Sequence, residues 1–282
     1  MAASHPLSYC ATQVRRDDHD RFLTALFAPG AIREDLFALY AFNLELAKTR
    51  EQVSEAILGE IRLQWWRETV DEIFAGKRRE HPVVEALAVA VETHELDRGL
   101  LDRLIDARAA DLTDDPPTDT AALENYARGT SSGLMQLALQ VLDARTGDAD
   151  TAADHAGIGW ALAGLIRAVP FHGAQGRVYL PRDLLEAEGL NIHATAHDRN
   201  PEKIRRVAHR LAEAAAEHLR QARAHRTGIP KKALPALLPA SLADLYLMRL
   251  RQADYDLSDS RLDVSAPRRQ FKLLWNALRG RY

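Results

Sequence analysis

From the first aspartates to the C-terminus, apolar residues return every three or four positions, and no stretch sustains the period-two alternation of a half-buried strand between turn signals. A chain with that one period buries its apolar stripes helix against helix, so the expected class is all-α. The periodic segments lie at about 16–27, 31–54, 56–76, 81–94, 97–112, 120–143, 150–171, 181–188, 201–226, 232–254 and 267–279. Prolines and glycines fall between them, as in Asp114-Asp115-Pro116-Pro117, a loop because tandem prolines cannot continue a helix. Asn200-Pro201-Glu202 supplies an N-cap, a first-turn proline and a first-turn acid, and Gly228 and Pro230 close the same helix. Its inward stripe, Ile204, Val207, Ala208, Leu211, Ala215, Leu219 and Ala222, is rich in alanine and predicts a close helix neighbour.

At 282 residues with 46% apolar side chains the chain can bury a sizeable core, and with no repeat and no linker a single domain is expected. Its 37 basic and 40 acidic side chains nearly balance, which removes the basic field of a nucleic-acid binder. The single cysteine, Cys10, admits neither an intrachain disulfide nor a cysteine zinc site and fits a reducing compartment. The N-terminus has no apolar leader core, and no run reaches the ~18 apolar residues of a membrane span. The expected location is the bacterial cytoplasm, with any membrane contact made from the surface.

Three stretches in register, "ALFAPGAIREDLFALYAFN" (25–43), "WWRETVDEIFAGKRREHPVVEAL" (65–87) and "LAGLIRAVPFHGAQGRVYLPRDLL" (162–185), resemble the squalene/phytoene synthase family over about residues 20–190. The resemblance implies an isoprenoid-synthase fold, a single domain of helices around a central cavity. It also implies two facing aspartate-rich motifs that hold Mg²⁺ on a prenyl diphosphate. Carboxylates at i and i+4 share a helix face, and hard oxygen ligands on Mg²⁺ neutralise the leaving group.

Those aspartates have been replaced. Aligned on Tyr40-Ala41-Phe42, the first motif falls on Ala47, Lys48 and Glu51; aligned on Gly176-Arg177 and Tyr179-Leu180-Pro181, the second falls on Gly164, Arg167, Ala168 and His172. Only Arg167 keeps the family residue. No catalytic residue is therefore assigned. The residues expected at the cavity and its mouth are Tyr40, Lys48, Arg50, Glu51, Trp65, Arg167, His172, Arg177 and Tyr179. Lys48 and Arg50 can meet a diphosphate as cations, but they cannot template metal ions, so no cofactor is expected, with Mg²⁺ needed only under an enzyme reading.

"YAFNLEL" (40–46), "LGEIRLQWWRE" (58–68) and "LIRAVPFHGAQGR" (166–177) resemble the branch of the family that contains the mitochondrial assembly factor for respiratory complex I. That likeness implies a scaffold or assembly factor with a respiratory-complex subunit as partner. Two alternatives stay open: a prenyltransferase using prenyl diphosphates, and a carrier with an isoprenoid ligand in the cavity.

Other clusters read as structure. Asp102 and Asp106 share DxxxD spacing but have Arg103 and Arg108 close by, so an ion-paired helix face is expected. The acids of "RRDDHD" (15–20) suit helix capping. His193 and His197 have i,i+4 ligand spacing without the glutamate or cysteines of a zinc site, and His172 reads as a hydrogen-bonded structural histidine or a ligand contact. Trp65 and Trp66 are adjacent, so one helix face cannot bury both. The C-terminal "PRRQFKLLWNALRGRY" carries Arg268, Arg269, Lys272, Arg279 and Arg281 with no acid, and Phe271, Leu274, Trp275 and Leu278 on one face. Its apolar face is expected to dock on the domain. The alternative places Arg268, Arg269, Lys272 and Trp275 at an anionic membrane surface, possible for the peripheral face of an inner membrane.

Overall fold

A computed structural model describes residues 7–53, 55–191 and 200–282. Among the described residues there are fifteen α-helices and no strand. In chain order they are α1 (Tyr9–Asp17), α2 (His19–Ala25), α3 (Arg33–Ala47), α4 (Ala56–Phe74), α5 (Pro82–His94), α6 (Arg98–Ala107), α7 (Thr120–Ala127), α8 (Gly133–Val141), α9 (Gly147–Arg167), α10 (Val169–Ala174), α11 (Arg182–Ala187), α12 (Pro201–Ala224), α13 (Leu234–Leu237), α14 (Pro239–Gln252) and α15 (Ala266–Leu278).

Two helices organise the rest. α3 is buried on every side from Leu36 to Leu46, as a run that is apolar except at Asn43 and Glu45 requires, and α1, α5 and α8 pack around it. α9 is lined with alanine and glycine and lets its neighbours approach closely. A Cβ at Gly157 would lie 2.6 Å from the Ser132 nitrogen, and one at Gly159 would lie 2.8 Å from the Leu219 side chain. The alanine-rich stripe of α12 meets α9 there, with Val207, Ala208, Leu211, Ala215, Leu219 and Ala222 buried.

The breaks between elements are more frequent than the periodicity indicates. The segment expected at 31–54 ends at Ala47 and gives way to a 3₁₀ turn, Arg50–Gln52. The segment at 120–143 is split by a π-helical turn, Arg128–Ser132, bounded by Gly133. Pro170 stands in the first turn of α10 and Pro239 in that of α14; each lacks the N–H that would continue the preceding helix. An additional helix, α1, precedes the first expected one, with Ser8 accepting from the Ala11 N–H at 3.0 Å. The next, α2, is capped by Asp18, which accepts from the Arg21 N–H at 3.1 Å; of the other acids expected to cap, Asp17 pairs with Arg16 and Lys48, and Asp20, in the first turn, with Arg269.

No single described helix is long and apolar enough to cross a membrane. The residues Lys231–Leu237 and Pro239–Gln252 reach that composition only as a pair bent by 44°, and most of α13 and α14 is buried in the fold.

Candidate functional site: the ends of helices α3 and α9

The last turn of α3 carries the first eroded motif. Lys48 donates to Asp17 of α1 at 2.5 Å, and Arg50 lies 3.5 Å from Asp114. Asp17 is pushed down to about 2, first by its bond from Arg16 and then by Lys48, so it stays a carboxylate and Lys48 stays committed to it. Glu51 is exposed on the 3₁₀ turn. Upstream, Glu45 is buried and accepts from Gln13 at 2.7 Å and Arg62 at 2.6 Å. Tyr40 is buried too, its hydroxyl pushed up to about 12 by burial, with Arg21 6.0 Å from its ring centre.

At the second motif, α9 ends at Arg167, whose guanidinium lies 3.6 Å from the centre of the Tyr246 ring. The Tyr246 hydroxyl donates to Asp20, which also receives Arg269 at 2.7 Å. Gly164 and Ala168 supply no donor atom. The side chains at the motif positions do not fit magnesium: Ala47, Gly164 and Ala168 have no donor atom, Lys48, Arg167 and His172 carry only nitrogen, and the remaining Glu51 is one exposed carboxylate. Among the described residues no three His, Cys, Asp or Glu side chains are grouped as a metal would need.

Between these helix ends, side chains lock together around Asp111, in the 3₁₀ turn that follows α6. Asp111 is buried and accepts from the hydroxyls of Tyr126 (2.7 Å) and Tyr179 (2.8 Å) and from Arg108 (3.1 Å). Arg108 also donates to Tyr126 at 3.1 Å and to Asn43 of α3 at 3.3 Å. Burial raises both tyrosines above their ordinary value, so they remain hydroxyl donors at neutral pH. The network ties four separate elements together. Sequence reasoning missed Asp111, Arg108, Tyr126 and Asn43; the available signal was Asn43 and Glu45, two polar residues inside an otherwise apolar helix, which must find partners.

Tyr179 separates two clefts of about 340 and 310 Å³, and Arg177 lines both. Among the described residues Arg177 has no ion-pair partner. The His172 ring lies 4.6 Å from that of Tyr179, tilted by 49°, and its Nδ1 is buried without a hydrogen-bond partner. Burial, then Arg177, holds its pKa below the usual histidine value. The structure thus brings His172, Arg177 and Tyr179 to one cleft wall. Trp65 sits apart on α4, half-buried beneath Arg79 at 5.1 Å, while Trp66 is buried against Phe42. Asp106 pairs with Arg67 and Asp102 with Arg98, rather than with Arg103 or Arg108. His193 and His197 lie outside the described residues.

The C-terminal helix reverses the docking expected from its sequence. α15 attaches through buried Leu273 and through Asn276, which donates to Ser241 at 2.6 Å. Phe271, Leu274, Trp275 and Leu278, the face expected to dock, are 67%, 50%, 46% and 76% exposed. Arg269, grouped by sequence with the surface cations, points inward to Asp20; Arg268 is exposed and Lys272 half-buried. Two faces of α15 have apolar residues, and the inward one is selected by its polar partners Asp20 and Ser241.

The family model for squalene/phytoene synthase matches residues 14–268. The chain is 36% identical over 257 residues to the bovine (Bos taurus) protein "NADH dehydrogenase (ubiquinone) complex I, assembly factor 6", covering 91% of this chain and 77% of that one. It is 25% identical over 248 residues to a phytoene synthase of Cereibacter sphaeroides, covering 85% and 70%. Among solved structures, a dehydrosqualene synthase crystallised with a ligand shares the fold at a TM-score of 0.82 and 19% identity, covering 95% of this chain and 93% of that one. The chain belongs to the squalene/phytoene synthase family.

Proposed function

We propose that this protein is a member of its family that has given up prenyl transfer and serves as a scaffold in the assembly of respiratory complex I. One observation carries the reading: neither motif keeps the set of carboxylates a magnesium site needs, with Glu51 alone remaining, and the charged side chains at these positions are built into the fold, Lys48 against Asp17 and the retained Arg167 against Tyr246. Without a metal-templating donor set, ionisation of a prenyl diphosphate lacks its electrophile. The 36% identity to an assembly factor supports the same direction. The location that suits this role is the cytoplasmic face of the inner membrane, with the outward apolar stripe and the cations of α15 toward the lipid.

Two measurements test this. The purified protein, incubated with farnesyl and geranylgeranyl diphosphate with and without magnesium, should give no condensation product by extraction and mass spectrometry; magnesium-dependent product would restore the enzyme reading. Deletion of the gene should lower the amount of assembled complex I on native gels, and an unchanged amount would remove the assembly role.

A second reading, binding of an isoprenoid diphosphate, is favoured by Arg177, which has no ion-pair partner among the described residues, and by the buried His172 Nδ1 without a hydrogen-bond partner beside the apolar-walled cleft. Farnesyl diphosphate binding by calorimetry, abolished in Arg177→Ala, would support it.

A further inference from the structure

The last turn of α15 runs into a second cationic feature, distinct from the Tyr179 clefts. Together with the segment joining α12 to α13 it forms a cleft of about 260 Å³, whose walls include Arg226, Lys231 and Arg279, with Ile229, Leu234 and Tyr282 between them. No Asp or Glu side chain lines it. The acids in the surrounding segments are engaged: Asp143 by Lys232, Asp148 by His225 at 2.9 Å, and Asp244 by Arg223 at 2.6 Å. Among the described residues Lys231 and Arg279 have no acidic partner, and Arg226 donates to the Gly280 carbonyl at 3.5 Å.

Three cations around a cleft with no Asp or Glu side chain on its walls, where the Tyr282 main-chain oxygen is already engaged by Arg223 at 2.8 Å, fit a phosphate-type anion, which guanidinium and ammonium groups bind by charge-assisted hydrogen bonds. The cleft is also continuous with the apolar stripe. Arg279, one of its walls, lies with its guanidinium 4.0 Å from the centre of the Trp275 ring, and Trp275 and Leu278 are both exposed. A free anion would have no use for that stripe, whereas a phosphate carrying acyl chains would engage both parts.

We propose that this cleft holds the headgroup phosphate of an anionic phospholipid while Leu274, Trp275 and Leu278 enter the membrane interface, so that α15 recognises a lipid as well as a charged surface. The inference rests on the membrane contact proposed above, and the experiment separates the two. Flotation is measured with vesicles of phosphatidylcholine alone and of phosphatidylcholine mixed with phosphatidylglycerol. The wild-type chain is compared with a cleft pair, Arg226→Gln with Lys231→Gln, and a charge-matched surface pair, Arg268→Gln with Arg281→Gln.

The surface pair removes only long-range attraction and should weaken binding to the mixed vesicles about 10- to 30-fold. The cleft pair removes direct charge-assisted bonds and should weaken it by at least about 100-fold, with a loss that persists at high salt. Equal losses from the two pairs would overturn the headgroup site and leave the membrane contact standing. If the wild-type chain floats with neither vesicle, both fall. Circular dichroism of each variant establishes that the helices are intact.

Discussion

Removing the Asp111 carboxylate should unlock the elements that meet between α3 and α9. In Asp111→Ala, Arg108 stays buried beside Tyr126 and Asn43 with no counter-charge, a situation that costs about 3–5 kcal/mol. The tyrosine hydroxyls lose an acceptor as well, but Arg108 retains two neutral partners, so about 4 kcal/mol is expected. For 282 residues the unfolding entropy near the midpoint is about 0.6 kcal/mol/K, so the Tm should fall by about 7 °C. Arg108→Met should cost about the same, since it leaves the carboxylate unpaired. The double variant, Arg108→Met with Asp111→Ala, should cost about 5 kcal/mol rather than 8, a coupling of about 3 kcal/mol, because neither buried charge remains. Urea denaturation of the four proteins measures this cycle. Additivity within about 0.5 kcal/mol would show that the two groups do not depend on each other and would refute the ion pair as the source of the stabilisation.

Other perturbations probe the packing and the histidines. Gly157→Ala places a methyl group against the Ser132 backbone, which cannot swing aside as a side chain can; a loss of about 3 kcal/mol, near 5 °C in Tm, is expected by calorimetry, and no loss would mean that α9 does not approach the π-helical turn this closely. His155 and His172 both have folded pKa values below the usual 6.5, each first because of burial. A depressed folded pKa means the unfolded chain takes up protons first, so stability should be full above pH 6.5 and fall as the pH drops through the folded values. His172→Gln should flatten part of that slope in urea titrations across this range; an unchanged slope would show that His172 is not held neutral by its site.

The helical class, the family and the loss of both aspartate motifs were all legible in the sequence, because each rests on local spacing: a period of 3.6 residues, or a residue type at a fixed offset from Tyr40 or Gly176. The alanine stripe of α12 likewise announced its close neighbour, since a small-residue face has few other uses in a buried helix. What local spacing cannot carry is which of two possible faces a helix docks. α15 turns Leu273 inward and leaves Phe271, Leu274, Trp275 and Leu278 outside because Asp20 and Ser241, distant in sequence, supply partners for Arg269 and Asn276. Arg108 is the same case: one turn from Arg103 on paper, it becomes part of an interior network only because α3, α7 and the segment after α10 bring Asn43, Tyr126 and Tyr179 around Asp111. Periodicity is a property of neighbours along the chain and is fixed before folding. The partners that satisfy a buried charge come from separate elements, so only the assembled tertiary structure decides which polar residues turn inward and which apolar ones are left facing out.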